Sequence, residues 1–88
     1  MIAKDYIILA PEGIHARPAT TLIRLTKKFK SVISLKKDDK LTRLNSMLNI
    51  LSMSAKGGET ITVIIEGEDE IEAAVAIDDF FIEQLKKL

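Results

Sequence analysis

The spacing of apolar and polar positions divides the chain into alternating strand-like and helix-like segments. Ile2 to Ala10 is rich in β-formers, with Tyr6, Ile7, Ile8 and Leu9 in succession, and ends at the turn signal Pro11-Glu12-Gly13. This predicts a first strand, whose inward face is left undecided by charges on both parities near its start. Ala19, Leu22, Ile23, Thr26 and Phe29 recur at helical spacing with Arg24, Lys27 and Lys28 between them. An amphipathic helix is therefore predicted over 16–29, its basic last turn suiting the helix dipole. Ser31 to Lys37 and Lys40 to Leu44 are β-prone runs around Asp38-Asp39, which predicts a hairpin. Asn45-Ser46 then precedes the apolar run Met47 to Met53, so a short helix is predicted from near Ser46 with a serine N-cap. After the turn at Lys56-Gly57-Gly58-Glu59 comes the clearest strand, Thr60 to Glu66, with Ile61, Val63 and Ile65 on one face. Gly67-Glu68-Asp69 opens a last helix with the predicted stripe Ile71, Ala74, Val75, Asp78, Phe81, Ile82 and Leu85. Acids crowd its start and Lys86-Lys87 its end, as the dipole favours.

The order β-α-β-β-α-β-α, with hairpins, predicts an α+β architecture: an antiparallel sheet with helices on one face. A chain of 88 residues fits one domain, 1–88. Thirteen basic and thirteen acidic side chains cancel, so the charge balance offers nothing to nucleic acid or an anionic membrane. The absence of cysteine excludes disulfides and thiolate metal sites. The first residues lack the pattern of a signal peptide, and no apolar run reaches the length of a membrane span. A cytoplasmic location is expected.

Candidate chemistry concentrates on His15, the one histidine, in Gly13-Ile14-His15-Ala16-Arg17-Pro18-Ala19. Proline is tolerated in a first helical turn, where its missing N–H would have been unpaired. His15 is thus expected at or just before a helix N-terminus, where free N–H groups favour anions. Arg17 adds a permanent charge and a fork of donors suited to phosphate. Imidazole ordinarily titrates near about pH 6.5, which leaves a neutral nitrogen nucleophile around neutrality. A metal role is disfavoured because no second histidine or cysteine exists. Met47, Leu48, Ile50 and Leu51 cover more than one face of a short helix, so part of that apolar surface is expected to stay exposed.

The Gly13 to Ala19 motif, the chain length and Ser46 at the start of a second short helix together resemble the HPr family. These are the histidine-containing phosphocarriers of the bacterial phosphoenolpyruvate-dependent sugar phosphotransferase system, and the resemblance spans essentially the whole chain. It implies an open-faced β-sandwich, a four-stranded antiparallel sheet covered on one face by three helices. It implies a monomeric carrier rather than an enzyme, without cofactor or metal and without direct nucleic-acid or membrane contact. His15 would accept a phosphoryl group on Nδ1 from phosphorylated enzyme I and pass it to a histidine of a sugar-specific enzyme IIA, with Arg17 stabilising the phosphate. Ser46 would be a regulatory site for an HPr kinase/phosphorylase, the modified protein then binding a catabolite-control transcription factor. Met47, Leu48 and Leu51 would dock partners, with Arg17, Arg24 and Lys27 as a basic rim.

Four positions depart from the family pattern. Glu12 stands where asparagine or serine is common, and a carboxylate there is expected to repel incoming phosphate. Asn49 and Ser54 stand where glycine is expected, and Asn45 where a basic residue is frequent. Two other readings stay open on the residues alone. One is a regulatory binding module acting only through Ser46, against which His15 argues. The other is a small standalone enzyme, for which no second motif is present.

Overall fold

The structure, a computed structural model, describes all 88 residues. Its elements are β1 (Ile2–Ile7), α1 (Ala16–Thr26), β2 (Val32–Lys37), β3 (Lys40–Arg43), α2 (Met47–Ser52), β4 (Thr60–Glu66) and α3 (Glu70–Asp79). A π-helical turn over Phe80–Gln84 and a 3-10 turn over Leu85–Lys87 continue α3. The strands form one sheet in the order β1-β4-β2-β3, antiparallel at every pairing. This is the expected α+β architecture, an open antiparallel sheet with three helices.

Residue alternation decides which face of the sheet is buried. Ile61, Val63 and Ile65 of β4 point inward, opposite Tyr6 of β1 and beside Ile33 and Leu35 of β2. On β1 the inward parity includes Ile2, Lys4 and Tyr6, and the strand lies at the sheet edge. Lys4 tolerates this parity because its ammonium reaches out to Asp78 of α3. From the helices, Ala19, Leu22, Ile23, Ile50, Ala73, Ile77, Phe80, Phe81 and Leu85 close the core.

Two element ends fall three residues short of the expected spans, and β2 and β3 each lose one residue. β1 stops at Ile7 rather than Ala10; beyond it, Ile8 pairs irregularly with the turn at 57–59, donating to Glu59 O and accepting from Gly58 N–H, both at 2.9 Å. α1 ends at Thr26 rather than Phe29, and the N–H groups of Lys28 and Phe29 reach back only three residues, which tightens the last turn out of the α-helix.

Of the stripe expected for α3, Phe81 and Leu85 are buried and Ala74 packs on the core, but its N-terminal part is overturned. Ile71 and Val75 are exposed at 71% and 68%, while Ala73, Ile77, Phe80 and Phe81 are buried. The expected face would have carried Asp78 into the core, and a buried unpaired carboxylate costs more than burial of two aliphatic side chains at about 1.5–3 kcal/mol each. With the helix turned, Asp78 sits at the rim and accepts from Lys4 Nζ and Tyr6 Oη. The π turn adds a residue to one turn, with the Leu85 N–H donating to Phe80 O, and lets both phenylalanines and Leu85 face inward. Phe81 stacks on Tyr6 at 4.9 Å between centroids, with Phe80 edge-on to it at 5.1 Å.

Candidate functional site

The approach to His15 is a tight turn held against the chain before β4. The Gly13 N–H donates to Ala10 O at 2.9 Å, and the Ile14 N–H donates to Ala55 O at 3.0 Å. Gly13 has a positive φ of 73°, and a Cβ there would lie 2.1 Å from Ala55 O, so only glycine fits. Ile14 is buried and anchors the loop.

His15 follows as the N-cap of α1, with an extended backbone and its carbonyl accepting the Ala19 N–H at 3.0 Å. Its side chain makes no capping bond, and 38% of it is exposed, so the ring is open to a partner. The N–H groups of Ala16 and Arg17 donate to no carbonyl or side chain of the protein, and Pro18 has none to offer. A nucleophilic ring, two free donors and the positive end of an eleven-residue helix therefore meet in one place.

Arg17 is exposed and makes no ion pair, and neither do Arg24 and Lys27. Their spacing puts the three cations along one side of α1. α2 packs against this helix. The Thr20 hydroxyl lies 3.6 Å from Met47 Sδ and donates to Ala16 O at 2.9 Å, which places Met47 about one turn from His15. Met47 is half-buried, Leu48 is 77% exposed, Leu51 is 40% exposed, and Ile50 alone of this helix is fully buried. The apolar run thus divides into one core anchor and an outward surface.

Ser46 is the N-cap of α2, and its Oγ accepts the Asn49 N–H at 3.1 Å. Two departures from the family pattern pair with each other here: Asn49 Nδ2 donates to Asn45 Oδ1 at 2.7 Å. Ser54, the third, has a φ of 52°, the left-handed backbone for which glycine is favoured. Glu12, the fourth, brings Oε2 to 3.3 Å from His15 Nε2.

Two long-range contacts were not legible in the sequence. The Thr20–Met47 contact that fastens α2 beside the histidine joins residues 27 positions apart. The Asp78 partners are more distant still, and their donation holds its carboxyl below the ordinary range, Lys4 contributing most and Tyr6 next. Burial, followed by the Asp78 hydrogen bond, pushes the Tyr6 hydroxyl up. No group of three His, Cys, Asp or Glu side chains is placed to hold a metal ion. No helix is long and apolar enough to cross a membrane.

An open-faced sandwich with a solvent-open histidine capping its first helix defines a class of small phosphoryl carriers. Residues 2–83 match the family described as the PTS HPr component phosphorylation site. The chain is 35% identical over 77 residues to the phosphocarrier protein HPr of Lysinibacillus sphaericus, a match covering 88% of each. Its fold superposes on HPr-C-His from Thermoanaerobacter tengcongensis with a TM-score of 0.91 at 32% identity, covering 100% of this chain and 98% of that one. For the phosphocarrier protein HPr of Bacillus anthracis the TM-score is 0.84 at 29% identity, with 91% and 95% covered. The chain belongs to the HPr phosphocarrier family of the phosphotransferase system.

Proposed function

We propose that His15 is the phosphoryl acceptor, taking the group on Nδ1 from phosphorylated enzyme I and passing it to a sugar-specific enzyme IIA in the cytoplasm. The observation that carries this reading is the exposed imidazole at the N-cap of α1, beside the undonated N–H groups of Ala16 and Arg17. Those donors would hold the phosphoryl oxygens, and the unpaired Arg17 guanidinium would follow the charge as it moves. Met47, Leu48 and Leu51 form the apolar docking surface, with Arg17, Arg24 and Lys27 as its basic rim.

Incubation with phosphoenolpyruvate and enzyme I should add one phosphoryl group that is labile in acid and stable in base. A His15→Ala protein that still gains it would refute the assignment. Arg17→Ala should keep the fold and slow transfer about 100–1,000-fold, the scale of one lost preorganised contact.

Ser46 is the regulatory site of the same reading, favoured by the hydroxyl already accepting a helix N–H. A phosphate there would meet α2's free N–H groups and add about −1.5 to −2 charges beside the docking surface at pH 7. An HPr kinase/phosphorylase and a catabolite-control transcription factor are the partners it would serve. Ser46→Asp should melt at or above the wild-type temperature and accept phosphoryl groups more slowly; full-speed transfer would refute the inhibitory role.

A further inference from the structure

We propose that Glu12 is a positioning residue for His15, its carboxylate selecting the imidazole tautomer that presents the lone pair at Nδ1. The inference rests on the carrier reading above. Glu12 Oε2 lies 3.3 Å from Nε2, and this is the one polar contact of either side chain within the protein. The turn from Ala10 to Gly13 carries Glu12 to this place, and Ile14 pinned on Ala55 fixes the backbone from which the ring projects, three residues on. A small swing of the 77% exposed carboxylate completes a hydrogen bond, and such bonds often tighten only when a partner arrives.

The chemistry of the pair has a direction. A carboxylate only accepts, and a neutral imidazole carries one proton and one lone pair on its two nitrogens. Donation to Glu12 therefore requires the proton on Nε2, which leaves the lone pair on Nδ1. In the transfer step that lone pair forms the bond to phosphorus. The donor's bond to phosphorus breaks, and its electron pair leaves with the donor. The Nε2 proton stays on the ring, and the positive charge the ring acquires is met by the Glu12 carboxylate. Glu12 also repels the phosphoryl group, as expected from its charge alone. That repulsion acts across the ring through solvent and is screened, whereas the Nε2–H bond, once the carboxylate has swung in, is direct. The direct contact therefore sets the net effect.

The test is ¹⁵N spectroscopy of the His15 ring at alkaline pH, combined with rates of phosphoryl acceptance from enzyme I and phosphoenolpyruvate. In Glu12→Ala the ratio of Nδ1–H to Nε2–H tautomer should rise about threefold, the scale of one exposed charge-assisted contact, and acceptance should slow by a smaller factor set by the lost share of Nε2–H. The unfolding midpoint should not move. Glu12→Gln keeps an acceptor oxygen and should recover part of the wild-type tautomer share. Ring nitrogens indifferent to Glu12→Ala, a Glu12→Gln protein no different from it, or faster acceptance in Glu12→Ala would each overturn the role. If wild-type His15 accepts no phosphoryl group at all, the carrier reading falls and the positioning role falls with it. If wild-type acceptance is normal and the tautomer ignores residue 12, only the positioning role falls.

Discussion

Gly13 sets where the histidine two residues later can stand. Its φ of 73° and the 2.1 Å gap between an added Cβ and Ala55 O leave no room for a side chain. Gly13→Ala should destabilise the protein by about 2–4 kcal/mol, combining left-handed strain with a backbone clash. Denaturant unfolding measures the loss, and a change below about 0.5 kcal/mol would show that the loop shifts freely. Ser54 is a milder case. Its left-handed backbone, at φ 52°, costs about 1–2 kcal/mol, and glycine would relieve it while making the unfolded chain freer by about 0.5–1 kcal/mol. Ser54→Gly should thus stabilise by roughly 0.5–1 kcal/mol in the same experiment. A loss of stability would mean that the serine side chain contributes packing of its own.

At the scale of elements, α3 shows how two apolar faces compete. Ile77 is fully buried, whereas Ile71 is 71% exposed. Ile77→Ala should cost about 2–5 kcal/mol, and Ile71→Ser should stay within about 0.5 kcal/mol. Equal losses at both sites would place the expected stripe back against the sheet. α2 divides its surface in the same way, with Ile50 inside and Leu48 out. Leu48→Glu should leave the thermal midpoint nearly unchanged while weakening enzyme I binding by titration calorimetry. A large fall in melting temperature would show that Leu48 is part of the core.

The whole molecule has a directional acid response. Asp78, Asp69, Glu59 and Glu70 all have carboxyls held below their ordinary values. The largest causes are hydrogen bonds: from Lys4 to Asp78, from Ser31 to Asp69, from the Lys56 N–H to Glu59 and from the Met1 amine to Glu70. A group whose folded pKa is depressed stabilises fully above its unfolded value and loses that contribution as pH falls through the folded one. The ordinary values are 3.8 for Asp and 4.5 for Glu, so stability should begin to fall below about pH 4.5 and keep falling beneath 3.8. Asp78→Asn should flatten part of that slope in urea midpoints measured across the range. An unchanged slope would show that the Lys4–Asp78 contact is held equally in the unfolded chain or is fully screened.

Much of this protein was legible in local pattern. Ile61, Val63 and Ile65 alternate cleanly because one sheet face is buried. Ser46 announced a cap because its hydroxyl bonds within one helical turn, and the histidine with Pro18 announced a helix start because proline belongs in a first turn. These features depend on neighbours a few residues away, which is the range over which sequence periodicity carries information. The inward face of α3 was legible only at its end, in Phe81 and Leu85, and not at Ile71 and Val75. It is chosen by Asp78 meeting Lys4 and Tyr6 more than seventy positions earlier, and by the volume of two adjacent phenylalanines. The orientation of α2 beside the histidine likewise depends on Thr20 and Met47 from different helices. Local pattern sets the order of elements, the serine cap of α2 and the place of His15 at a helix start. Tertiary structure alone decided which of two apolar faces is buried and which side chains complete the site, because long-range packing and charge pairing settle those choices.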